Sequence, residues 1–132
     1  MTAHIGIDAL DRIDNLVLGS AVDDDLRPFA GKAARDRESV AGTGVTVNAV
    51  LPGPTKSEGV VDFLGKVAAE HGSDAAEVAA EFLRTMRPSS LIKRFAMPEE
   101  VANLVTYLCG EGAAATTGAA IRVDGGVVRS IL

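Results

Sequence analysis

Valines and a threonine crowd between a Gly-Thr-Gly punctuation and a proline in GVTVNAVLP, residues 44–52. β-branched Val45, Thr46, Val47 and Val50 between such breakers predict a strand. Behind it the apolar period changes from two to about 3.6. Val60, Val61, Phe63, Leu64, Val67 and Ala68 form one helical stripe, and Val78, Ala79, Phe82, Leu83 and Met86 form a second. His71-Gly72-Ser73 separates them, so the two stripes predict a helical hairpin with short arms. Thr55 and Glu58 have the spacing of a capping box at the first helix start, with Ser57 as an alternative cap; Asp74 and Glu77 repeat that signal at the second.

An irregular connection, RPSSLIKRFAMPEE, leads to a third helix. Pro98 suits its first turn, where a missing N–H costs nothing, and Glu99 and Glu100 suit the positive end of its dipole. Val101, Leu104, Val105 and Leu108 give the most regular stripe in the chain, and Gly110 or Gly112 ends it. GAAIRV, 118–123, predicts a short strand and Asp124-Gly125-Gly126 a turn, before an apolar tail. Toward the N-terminus, Ile5, Leu10 and Ile13 fit a short amphipathic helix and NLVLGSAV, 15–22, a buried strand. The charge-dense stretch that begins at Asp23 reads as a loop with a short helix.

Composition limits what these elements can do. The 132 residues suit a single domain, nearly half of them apolar but with only four Phe and one Tyr, so the core must be aliphatic. A net charge of −5 argues against a nucleic-acid surface. One cysteine, Cys109, and two histidines, His4 and His71, make neither a disulfide nor a zinc site. No stretch approaches the ~18 apolar residues of a membrane span, and the start of the chain has no leader pattern; a reducing, cytoplasmic setting without membrane contact is expected. Cys109, between Leu108 and Gly110, is expected in buried packing. Asp23, Asp24 and Asp25 read as a solvated loop rather than a cation site, and Ser89 and Ser90 have no histidine nearby in sequence to activate them.

The stretch NAVLPGPTKSEG raises a sharper question. A strand end fixed by Pro52 and Pro54, with Gly53 allowing close backbone approach and a helix start following, is either a plain strand stop or a ligand edge beyond the carboxyl end of a strand. VNAVLPGPTKSEG, followed by RPSSLIKRFAMPEEVANLVTYLCGEGAAATTGAAIRVDGG, resembles the C-terminal half of short-chain dehydrogenases/reductases over about residues 42–132. The resemblance implies an α/β, partial Rossmann-like fold, doubly wound, with few parallel strands and three to five helices. It also implies an NAD(P)-linked oxidoreductase of alcohols or carbonyls.

In that resemblance Pro52 and Gly53 match the nicotinamide end of an NAD or NADP site, Thr55 the position whose backbone meets the carboxamide, and Ser57 a position often held by Thr. Residues 58–86 match a mobile substrate-binding segment. The 98–110 helix and the 118–126 strand and turn match a pairing face, which implies a homo-oligomer.

Departures from the pattern are equally specific. None of the fourteen glycines supplies Gly-x-x-x-Gly-x-Gly or G-x-G-x-x-G, the turns that receive a pyrophosphate. The family's Tyr with Lys four residues on has no counterpart: Tyr107 is followed by Glu111, and Lys32 is preceded by Pro28, with Phe29 the nearest aromatic. LGSA stands where Asn-Asn-Ala-Gly is expected. The chain therefore reads as one truncated domain, with residues 1–41 a degenerate first part. No catalytic residue and no metal site are assigned, and this chain alone is expected to be inactive or very slow. A non-catalytic association module derived from the same family is the alternative.

Overall fold

The structure, a computed structural model, describes residues 38–130. The expectations for residues 5–22, for Asp23–Asp25 and for Lys32 lie outside them. Two strands, β1 (Ala49–Pro52) and β2 (Ala120–Val123), pair in parallel with Ala49 opposite Ala120 and Pro52 opposite Val123. Between them run α1 (Glu58–His71), α2 (Ala75–Met86) and α3 (Pro98–Cys109), then a short 3₁₀ turn at Glu111–Ala113. This is the α/β arrangement that the resemblance implies, and the three helices supply the long crossover that a parallel pair requires.

Both strands are shorter than their sequence signals. Gly118 takes φ +74°, which breaks the extended run before β2. Opposite this bend the Asn48 side chain replaces the missing ladder: its Nδ2 donates to the Thr116 carbonyl at 2.8 Å, and its Oδ1 accepts the Ala119 N–H at 3.1 Å. Val47 joins through the Thr117 hydroxyl and the Gly118 N–H. The sheet start is thus stitched by side chains where the backbone bends away.

The core lies off the sheet. Val60, Leu64, Val67 and Ala68 of α1 meet Val78, Phe82 and Leu83 of α2, and Phe95 closes the cluster, its ring stacked on Phe82 with centroids 5.6 Å apart. The Arg87 guanidinium sits 5.8 Å from the Phe82 ring centroid, a cation–π contact on the same ring. By contrast, no residue of β1, β2 or α3 is fully buried, although α3 packs on both strands. The regular stripe of α3 is therefore only partly covered. Val105 remains 43 % exposed and Cys109, expected in the interior, is exposed as well. A helical period shows which residues share a face, but it does not say how deeply that face is covered.

Helix ends follow the sequence in position more than in chemistry. Gly72 terminates α1 in the left-handed region, its N–H returning to the Ala68 carbonyl, directly after His71. Ser57 and Asp74 occupy the N-cap positions of α1 and α2 without side-chain cap bonds, so the Thr55–Glu58 box is not formed. Thr55 instead donates its hydroxyl to the Gly53 carbonyl at 2.9 Å. At α3, Pro98 is the first residue and the Glu100 carboxylate accepts the Met97 N–H at 2.7 Å. Both Glu100 oxygens also accept from Arg94, at 2.7 Å each.

The Arg94 guanidinium, followed by the Met97 N–H, lowers the Glu100 carboxyl from 4.5 to about 2. The folded value lies below the unfolded one, so this contribution is fully present above pH about 4.5 and is lost as pH falls towards about 2. The pair is solvent-exposed and salt weakens it. Urea titrations from pH 5 to 2 should show a falling midpoint, and Glu100→Gln should flatten that fall.

Candidate functional site

Beyond the carboxyl end of β1 the chain forms a rim, residues 52–57, where each proline has a task. Pro52 is the last strand residue and is exposed; Pro54 is buried. Neither ring has an N–H to satisfy, so the chain can leave the ladder here without an orphaned donor.

Two partners hold the rim from opposite sides. On the sheet side the Gly53 N–H donates to the Val123 carbonyl at 3.0 Å. A β-carbon at Gly53 would lie 2.6 Å from Asp124 Cα and 2.8 Å from its carbonyl oxygen, so only glycine permits this approach. Asp124 is itself fixed: its carboxylate accepts the N–H groups of Gly126 and Val128, each at 2.9 Å. On the other side Ala96 donates its N–H to the Pro54 carbonyl and accepts the Lys56 N–H, both at 2.8 Å, bridging Thr55 in parallel.

The four residues named from the sequence, Pro52, Gly53, Thr55 and Ser57, therefore share one short rim. Ser57 is exposed and leads into the uncapped start of α1, with its N–H on the Thr55 carbonyl at 2.9 Å. Among the described residues the Thr55 N–H has no acceptor. As a donor, a backbone N–H can pair with a carbonyl or amide oxygen and cannot ligate a metal. Among the described residues, no three His, Cys, Asp or Glu side chains converge on a point. No helix among them is long and apolar enough to cross a membrane.

Ala96 and Asp124 are the residues that sequence reasoning missed. Ala96 acts only through its backbone and leaves no side-chain signal. Asp124 left one: an Asp ahead of two glycines is an Asx-turn signature, yet nothing local shows that the turn abuts Gly53. Ser89 and Ser90 take no part in a nucleophilic arrangement; the Ser89 hydroxyl donates to the Val127 carbonyl at 2.6 Å, and Ser90 is buried. Tyr107 lies on α3, 53 % exposed, its hydroxyl 3.5 Å from the Gly112 carbonyl. A shallow depression lined by Val40, Gly42, Val45, Ala114 and Thr117 lies at the other end of β1, away from the rim.

Comparison with known proteins gives this arrangement a context. The family described as Enoyl-(Acyl carrier protein) reductase matches residues 37–128. The uncharacterized oxidoreductase YvrD of Bacillus subtilis is 44 % identical over 94 residues, which cover 71 % of this chain and 36 % of that protein. D-beta-hydroxybutyrate dehydrogenase of Rhizobium meliloti is 36 % identical over 87 residues, 66 % of this chain and 33 % of the relative. The crystal structure of L-sorbose reductase from Gluconobacter frateurii, complexed with NADPH and L-sorbose, superposes with a TM-score of 0.70 at 26 % identity. That superposition covers 80 % of this chain and 39 % of the reductase. The chain thus spans about a third of the length of the curated relatives it matches.

Gly53→Ala tests the rim directly. Its methyl group must displace Asp124 backbone, so a loss of about 1–3 kcal/mol is expected in urea unfolding. Gly59→Ala, where the added carbon meets nothing within 4 Å, is the matched control and should cost nothing.

Proposed function

The chain belongs to the short-chain dehydrogenase/reductase family, and on that premise we propose that its rim forms one wall of an NAD(P)-linked alcohol or carbonyl oxidoreductase site. The observation that carries the reading is the rim held between Asp124 and Ala96 at the carboxyl end of parallel strands, where open α/β sheets receive ligands. Gly53 lets Asp124 close against the strand end, which fixes the wall that a flat ring would meet. Thr55 offers an unused N–H to a carboxamide oxygen, and Pro52 with Pro54 keeps both atoms in place while the ring is held. Ser57 stands at the polar edge of the same wall. A bound nicotinamide would supply the hydride; the residues of this wall orient it and exclude water from one side.

The 132 residues by themselves hold neither a glycine-rich phosphate turn nor a Tyr-x-x-x-Lys pair. Tyr107 spends its hydroxyl near Gly112 and has Glu111, not a lysine, four residues on. Without donors for the pyrophosphate the cofactor is held at one end only, so affinity is weak. Without a proton donor of suitable pKa, turnover by this chain alone is absent or very slow. Whether NAD or NADP is taken is set by groups around the ribose, which this wall does not contain.

A second reading, association through α3 and β2, is favoured by one observation. α3 carries no fully buried residue, and Val105 and Tyr107 stand 43 % and 53 % exposed on it. Parallel strands are ordinarily covered on both faces, and a second copy would cover what α3 leaves open. The chain is then an oligomer that presents its rim without completing a site.

Fluorescence titration of the 132-residue chain with NADH and NADPH should give saturable, weak binding in the millimolar range, reduced by Gly53→Ala. No binding at those concentrations would sink the cofactor wall, and turnover of simple alcohols or carbonyls at an ordinary ~10 s⁻¹ would sink the inactive reading. Sedimentation should show a dimer or larger; a sharp monomer at high concentration removes the association reading.

A further inference from the structure

Residues 89–96 touch the C-terminal turn at one end and the rim at the other. At the turn, the Gly125 carbonyl accepts both the Leu91 N–H at 2.8 Å and the Ile92 N–H at 3.2 Å. The two side chains fill the notches left by the glycines. A β-carbon at Gly125 would lie 2.6 Å from Ile92 Cδ1 and Cγ1, and one at Gly126 would lie 2.6 Å from Leu91 Cδ1 and Cγ. At the rim end Ala96 clamps Pro54 and Lys56.

Only three residues separate Ile92 from Ala96, and one of them, Lys93, has φ +52°, a left-handed conformation that a lysine rarely adopts. Such strain persists only where the surroundings impose it. Here both neighbouring ends are pinned, and the Lys93 ammonium adds a bond to the Pro88 carbonyl at 2.9 Å.

We propose that the Gly125–Gly126 turn is a catch, that Leu91 and Ile92 are the latch, and that Lys93 is the strained joint through which the catch sets the position of the rim. With the latch seated, Lys93 is held left-handed and Ala96 presses on Thr55. With it released, Lys93 relaxes towards negative φ and the Ala96 clamp shifts. Leu91 is 79 % exposed, so whatever contacts this turn reaches the latch from solvent. This coupling holds whether or not the rim takes a nicotinamide.

Amide hydrogen exchange on the 132-residue chain separates the possibilities. Gly125→Ala should speed exchange of the Lys56 and Ala96 amides about tenfold or more, while core amides such as Val67 and Phe82 change by less than about threefold. Gly72→Ala is the control for backbone strain: its φ of +62° matches the +65° of Gly125, but an added carbon there meets nothing within 4 Å. It should leave Lys56 and Ala96 unchanged. If Gly125→Ala does not fold, the double variant Leu91→Ala, Ile92→Ala empties the latch with both glycines intact and should give the same pattern. The proposal is overturned if Leu91 and Ile92 amides accelerate without Lys56 and Ala96, if all amides accelerate together, or if Gly72→Ala has the same effect on the rim.

Discussion

Phe95 and Ala96 are adjacent in sequence, and between them they join the two halves of the described fold. The helical hairpin packs on itself and α3 packs on the sheet, so little direct packing ties one body to the other. Phe95 places its ring against Phe82 in the hairpin core, while Ala96 gives both its backbone groups to the rim at the end of β1. Burial of an aromatic side chain is among the larger single contributions to a core, and a backbone bridge is directional. One supplies the energy and the other the register. Remove either and the hairpin is held to the sheet end chiefly through residues 89–92 and the C-terminal turn.

The candidate site inherits its shape from that joint. Gly53 lies against Asp124 on one side and Pro54–Lys56 against Ala96 on the other, so the rim is positioned before any ligand arrives. Prepositioned donors avoid the reorganisation cost that a flexible loop would incur. Both ends of the hairpin are tied, α1 through the rim and α2 through residues 87–96.

Much of this was legible in the sequence wherever the signal was local. The periods of α1, α2 and α3, the break at Gly72, the first-turn Pro98 and the end at Gly110 all follow from side-chain spacing and backbone preference. The rim itself was legible as an over-constrained strand end, and the ordered motifs named its family. Signals failed where the partner was distant. Thr55 has a capping residue's spacing, but the Ala96 bridge holds it two residues before the cap at Ser57, and its hydroxyl turns to Gly53. The early part of GVTVNAVLP has strand propensity, but its opposite segment bends at Gly118, and Asn48 supplies the pairing instead. Cys109 has a buried residue's composition on a helix that little covers. Backbone partners some 40 to 70 residues away leave no local trace, which is why Ala96 and Asp124 emerge only from the structure.

A rim held from both sides has a direct signature in the unmodified chain. In native-state hydrogen exchange the amides of Gly53, Lys56 and Ala96, whose acceptors are Val123, Ala96 and Pro54, should be protected about a hundredfold or more over an unstructured peptide. Exchange of these three amides at the rate of a free loop, while Val67 and Phe82 remain protected, would show a folded hairpin with no formed rim and would contradict the account.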